Sequence, residues 1–178
     1  EHNILKKRNL NDDNWSIYSR CAIGDNLAKS KINVSKNSYS SSILDVLPSH
    51  LEIAEESIYI KQEDIEIITL DSIFKEITNK SKNICLKIDT QGYESNVLDG
   101  LKENLKKITI IDIELSLLPL YENQKLWDYF VDFLFKNNFE IWSIKQGVYN
   151  LNNGRTNQID VIFYNKKMSK KPPVAEKK

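Results

Sequence analysis

Residues 83–115 constrain the fold more than any other stretch of the chain. NICLKID (83–89) reads as a compact strand and Thr90-Gln91-Gly92-Tyr93 as a tight connection. Val97, Leu98, Leu101 and Leu105 then recur at helical spacing, and ITIIDIEL (108–115) supplies a second run rich in β-branched residues. Strand, helix and strand in so short a span predict a right-handed βαβ unit with parallel strands. Parallel strands covered on both faces normally read as continuous apolar sequence. Here both turn charged toward their C-terminal ends. Ile84, Leu86 and Ile88 share one face of the first strand, with Cys85, Lys87 and Asp89 on the other. Ile111, Ile113 and Leu115 share a face of the second, with Ile110, Asp112 and Glu114 opposite. As neighbours about 4.8 Å apart, the strands bring Lys87 toward Asp112 and Asp89 toward Glu114.

In open α/β sheets, ligands bind in the crevice beyond the carboxyl ends of the strands. Charges gathered there are costly to bury unless paired or used. Two readings are open. In one, Asp89 and Glu114 line a pocket where they attract a cationic ligand, accept a proton or hold a metal ion. In the other, the four charges form an ion-pair cluster that stitches loops across the sheet end.

Around this unit, residues 15–23 read as a strand ended by Gly24-Asp25-Asn26, and residues 29–36 alternate weakly. Residues 38–42 are a polar loop containing Tyr39; Ser40–Ser42 lacks the His–acid pair that would make it nucleophilic. Pro48 interrupts any long helix over 43–57, and His50 beside it reads as a loop residue. A strand over 65–70 and a helix from Thr69 follow, with Ile73, Phe74 and Ile77 inward. Asn123 is positioned to cap an amphipathic helix over about 124–137 that turns Leu126, Trp127, Phe130, Val131 and Leu134 inward. Asn137-Asn138 ends it, and strands over 140–144 and 159–164 pair antiparallel at a sheet edge. Trp15 and Trp142 are expected in the core or at its margin, and Cys21 and Cys85 as buried reduced thiols.

Composition narrows the function. With 178 residues and 40% hydrophobic content, the chain builds one ordinary domain. Lys plus Arg and Asp plus Glu balance at 25 each, yet residues 165–178 carry six Lys and one Glu, so the body is mildly acidic. With 22 Lys and only Arg8, Arg20 and Arg155 among its basic residues, such a body argues against nucleic acid as a partner. No run approaches the roughly 20 apolar residues of a membrane span, so no membrane insertion is expected. Two Cys and two His form no zinc constellation, and a reducing cytoplasm fits. The expected organisation is a domain over 1–165 and a solvated Lys/Pro tail over 166–178.

LKIDTQGYESNVLDG (86–100) followed by IELSLLPLYENQKLW (113–127) resembles the FkbM family of S-adenosylmethionine-dependent methyltransferases. NNFEIWSIKQGVYN (137–150) and GRTNQIDVIFYNK (154–166) are similar to its closing strands; RCAIGD (20–25), YSSSIL (39–44) and ITLDSI (68–73) match its middle section in order. The resemblance covers about residues 15–166. It implies an α/β class I methyltransferase (Rossmann-like) fold, mostly parallel with an antiparallel C-terminal edge, and O-methylation of a hydroxyl on a sugar or related small molecule. The implied cofactor is S-adenosylmethionine, with a divalent metal ion possible but no closed ligand set; the implied partner is a small-molecule or glycan acceptor. Asp89 and Glu114 take the catalytic positions, Asp89 as candidate base or metal ligand and Glu114 as its partner. Ala22, Ile23, Gly24 and Asp25, with Asp89, fall on the cofactor side. Gln91, Glu94, Ser116 and Tyr121 fall on the substrate side.

The family's first strand ends in a Gly-rich loop and its second in an acidic residue for the ribose. The glycines here stand at 24, 92, 100, 147 and 154, none close enough to another to form such a loop. The chain is therefore expected to be an N-terminally truncated member, inactive by itself. The rival expectation is a catalytically inactive methyltransferase-like binding scaffold.

Overall fold

The structure is a computed structural model, which describes residues 2–9, 12, 14–78 and 81–168. Helix α1 (His2–Asn9) precedes two sheets. The first contains β1 (Ala22–Ile23), β2 (Ala28–Ser35) and β3 (Tyr59–Ile68) in the order β1-β3-β2, with β1 parallel and β2 antiparallel to β3. The second contains β4 (Cys85–Ile88), β5 (Ile110–Ser116), β6 (Phe139–Gln146) and β7 (Gln158–Asn165) in the order β4-β5-β7-β6. β4 and β5 are parallel, with Lys87 opposite Asp112 as expected. β7 runs antiparallel to both β5 and β6, which makes the expected antiparallel edge.

The expectation of a mostly parallel sheet is met only in part: β1–β3 and β4–β5 are parallel, but among the described strands antiparallel pairings outnumber parallel ones. The physical reason lies in the connections. Parallel neighbours need a long crossover, usually helical. β4 and β5 have one, through α4 (Glu94–Asp99), and β1 reaches β3 by way of β2, whereas β6 returns to β7 through a loop.

Most of the buried apolar side chains among the described residues form one cluster. Ile111, Ile113 and Leu115 of β5 and Val161 and Phe163 of β7 meet Val97, Leu98, Leu101, Phe130 and Leu134 there. α4 ends at Asp99 instead of reaching Leu105, yet Leu101 and Leu105 stay buried through the turns that follow. α5 (Trp127–Lys136) starts later than its periodicity predicts. Gln124 is drawn out of it: its Oε1 accepts from the Leu120 and Tyr121 N–H groups while its Nε2 donates to Ser116 Oγ. Asn123 accordingly adopts a left-handed φ of 58° and caps nothing. Asn138, at φ 70°, supplies the left-handed stop.

Several burial expectations are also corrected. Trp127, Trp15 and Trp142 are exposed, Trp142 resting against the Tyr164 ring. Cys85 is exposed on edge strand β4 and Cys21 is half-buried, both as free thiols. The strand expected over 15–23 contracts to Ala22–Ile23. Helix α2 (Pro48–Leu51) makes His50 buried rather than a loop residue. Lys166–Met168 form a helical turn, and the rest of the expected tail lies outside the described residues. Among the described residues, no helix is long and apolar enough to cross a membrane.

Candidate active site

The site grows from the turn between β4 and α4. Asp89 directly follows β4, and Gln91 (φ 53°) and Gly92 (φ 98°) then both take the left-handed region. Gly92 suits this twice. It has no Cβ to oppose the backbone, and a Cβ there would press to 3.0 Å of the Tyr121 ring. Glu94 holds the turn from inside. Its Oε1 accepts from the Thr90 N–H (3.0 Å), the Gly92 N–H (3.0 Å) and the Thr90 hydroxyl (3.3 Å). That carboxyl is buried, which pushes its pKa up against the hydrogen bonds it accepts.

This turn aims Gln91 across the end of the sheet. Gln91 Nε2 donates to Asp89 Oδ1 (2.9 Å) and to Glu114 Oε2 (3.1 Å), so one carboxamide joins the two carboxylates. The buried Tyr121 hydroxyl donates to Gln91 Oε1 (2.8 Å), which fixes the orientation of the amide. Ser42 Oγ holds the Gln91 carbonyl at 2.7 Å. From β7, Gln158 Nε2 donates to Glu114 Oε2 (2.6 Å).

The two readings of the strand-end charges separate in space. Lys87 lies 3.3 Å from Asp112 and 3.1 Å from Asp160, a partly exposed ion-pair group. Burial would lower the Lys87 pKa, but the hydrogen bonds and charges of Asp160 and Asp112 outweigh it and raise the net value. Asp89 and Glu114 belong to the other group, held by carboxamides.

Burial, followed by the charges of Asp89, Glu94 and Asp160, pushes the Glu114 carboxyl up to about 7, with Lys87 opposing. Between the ordinary value of 4.5 and that value, the folded chain keeps a proton that the unfolded chain releases. Stability therefore falls as pH rises through this window. The loss is at most about 3 kcal/mol, reduced by the solvent that reaches the group. Urea unfolding at pH 5 and pH 8 should give a smaller difference for Glu114→Gln than for the wild type. Equal differences would assign the effect to another group.

Two cavities meet at Asp89. One, of about 290 Å³, is lined mainly by apolar groups, among them Ala22, Ile23, Ile65 and Tyr93. The other, of about 430 Å³, also has a mainly apolar wall but carries more polar side chains, and is termed the polar cavity for them; it is lined by Tyr39, Ser40, His50, Ala54, Asp89, Gln91, Glu114, Val148 and Gln158. The residues singled out from the sequence divide accordingly. Asp89, Glu114 and Gln91 come together, and Ala22 and Ile23 line the apolar side. Gly24 is buried in close approach to α4, and Asp25 is exposed beside Tyr93, whose hydroxyl is raised in pKa by burial and then by that charge. Tyr121, Glu94 and Ser116 are buried behind the cavity wall, each at most 3% exposed.

His50 and Gln158 were not singled out. His50 meets Tyr121 edge-on with ring centres 5.0 Å apart, its Nε2 lies 3.3 Å from Ser57 Oγ, and burial lowers its pKa. Both residues reach the site only through tertiary folding, although Pro48 at the head of α2 marks where His50 enters a helix.

Among the described residues, no group of three or more His, Cys, Asp or Glu side chains is arranged to hold a metal ion. No curated protein and no solved structure matches the chain. The family described as Methyltransferase FkbM domain matches residues 2–141, from α1 through the β4–α4 turn and β5 into β6. With so much of its length matched, and the carboxylate pair within the match, the chain belongs to the FkbM methyltransferase family.

Proposed function

We propose that the chain is an S-adenosylmethionine-dependent O-methyltransferase, built on a class I Rossmann-like plan, acting on a hydroxyl of a sugar or related small molecule. The observation that carries this reading is the position of Asp89 on the wall shared by two cavities, of which one carries the additional polar side chains Gln91, Glu114 and Gln158. A methyl donor and its acceptor need two compartments that meet at one point, and alignment there is most of what catalysis requires.

The residues present fit part of the cofactor. Ala22, Ile23, Ile65 and Tyr93 offer walls for a flat heterocycle, and the Asp89 carboxylate suits a positive centre. When bound, S-adenosylmethionine supplies a methyl group already activated on a sulfonium. The chain's own task is to orient the hydroxyl and take its proton.

Glu114 lines the polar cavity alone, whereas Asp89 lines both. This supports a reversal of the roles expected from the sequence, with Glu114 as proton acceptor and Asp89 as the charge between the compartments. Hydrogen bonds to Glu114 from described residues fall on Oε2, which leaves Oε1 for the acceptor. A carboxyl near 7 also suits proton transfer at neutral pH. Gln91 positions both carboxylates, and Tyr121 acts through Gln91. Glu94 and Ser116 brace the turn and the loop.

Amide spectra of the isotopically labelled chain titrated with S-adenosylmethionine test the cofactor side. The expected result is weak, saturable shifts at Ala22, Ile23 and Tyr93, reversed by competition with S-adenosylhomocysteine. Saturating cofactor without shifts there would overturn the assignment. The glycine spacing favours one second reading, the binding scaffold, which predicts acceptor binding without methyl transfer.

A further inference from the structure

We propose that Tyr39 is the acceptor-stacking residue of the polar cavity, and that the ring it stacks belongs to an uncharged polyol. This inference rests on the reading of that cavity as the acceptor site and adds its selectivity.

Tyr39 lines the cavity but is 86% exposed. Among the described residues its ring has no hydrogen-bond or ring partner, so folding gains little from it. Its backbone, by contrast, is pinned on both sides. Ser38 holds a left-handed φ of 63°, and its N–H donates to the Ser35 carbonyl at 3.1 Å. The Ser40 N–H donates to Asn37 Oδ1 at 3.0 Å, and Ser57 Oγ donates to Ser40 Oγ at 2.9 Å. The turn thus holds a flat aromatic face at the edge of a cavity whose wall sets two carboxylates and two carboxamides among apolar surface. Such pockets combine an apolar surface with a few placed polar groups. A saturated ring with C–H groups on one face and hydroxyls around its rim satisfies both.

Charge narrows the ligand further. Asp89 and Glu114 line the cavity, and among the described residues no Lys or Arg does. The neighbouring Lys87 is already held by Asp112 and Asp160. A phosphorylated or carboxylated acceptor would meet like charge without a counter-ion, whereas a neutral polyol meets only hydrogen-bonding groups.

Saturation-transfer NMR with neutral methyl hexopyranosides, and with the matching hexuronates and 6-phosphates, tests this on the full chain. The wild type should bind at least one neutral glycoside saturably. Tyr39→Ala should weaken that binding about five- to tenfold, and Tyr39→Phe should keep it within about twofold. The anionic forms should bind more than about tenfold less tightly. The inference is overturned if no neutral glycoside binds, if Tyr39→Ala binds as the wild type does, or if the anions bind equally well. With its ring so exposed, Tyr39→Ala should melt as the wild type does, so lost binding cannot be ascribed to unfolding. Cofactor titration of the same samples separates the two levels. Cofactor shifts with Tyr39-independent binding leave the methyltransferase reading standing and remove this one. Tyr39-dependent glycoside binding without cofactor shifts does the reverse.

Discussion

In protein competent for methyl transfer, Asp89→Asn should lower kcat by about 10²- to 10³-fold while cofactor and acceptor affinities stay within severalfold. Asparagine keeps the shape of the side chain and an oxygen for the Gln91 Nε2 donor, so neither cavity loses a wall. Only the charge disappears. That charge also acts on Glu114, where after burial it is the next largest cause of the raised pKa. Neutralising it must lower the Glu114 value, so the acidic limb of the pH–rate profile should move to lower pH as kcat falls. Measuring kcat for the wild type and variant across pH 5 to 9 tests both effects. An unchanged kcat would remove Asp89 from the chemistry. A lower kcat with an unmoved limb would show that Glu114 is not the titrating base.

The residues that carry this prediction were legible because they lie in a strand pair with strict alternation. Once Ile84, Leu86 and Ile88 are set inward, Lys87 and Asp89 must point the other way, and the parallel register with β5 follows. The β2–β3 ribbon was less legible. Residues 59–64 of β3 are exposed or only partly buried, so no alternation of apolar and polar residues marks them as a strand. Glu94 shows a different limit. Its place beside Gln91 and Gly92 in the motif suggested the substrate, whereas its carboxylate turns back to satisfy the Thr90 and Gly92 N–H groups of the turn. His50 and Gln158 come from distant segments, and no local pattern could bring them to the cavity that Glu114 lines. Gly100 carried no signal beyond the end of a helix, yet a Cβ there would meet backbone more closely than at any other glycine, because it approaches Gly24.

That contact underlies the largest expected loss of stability. A Cβ on Gly100 would lie 1.9 Å from the Gly24 carbonyl oxygen and 3.0 Å from its carbon, both backbone atoms that no rotamer change can move. Neither partner is free to withdraw. The Gly24 N–H is hydrogen-bonded to the Ile68 carbonyl at the end of β3, and the Gly100 carbonyl accepts from the Asp71 N–H at the start of α3 (Leu70–Thr78). Gly100→Ala must therefore separate β1 from α4, at a cost of about 3 kcal/mol or more. For a chain of this length that lowers Tm by roughly 6–12 °C. Gly154→Ala is the control: at φ 73° with no atom within 4 Å of the new Cβ, it meets backbone strain alone, about 1–2 kcal/mol. Gly100→Ala stability within about 1 kcal/mol of the wild type would refute the close approach. The same displacement has a functional consequence. Ala22 and Ile23 sit on the β1 side of the contact, while Gln91 and Asp89 sit in the turn leading into α4. Below its melting temperature, Gly100→Ala should therefore weaken the cofactor shifts at Ala22 and Ile23 more than binding in the polar cavity, whose Asp89–Gln91–Glu114 bridge does not cross the Gly24–Gly100 contact.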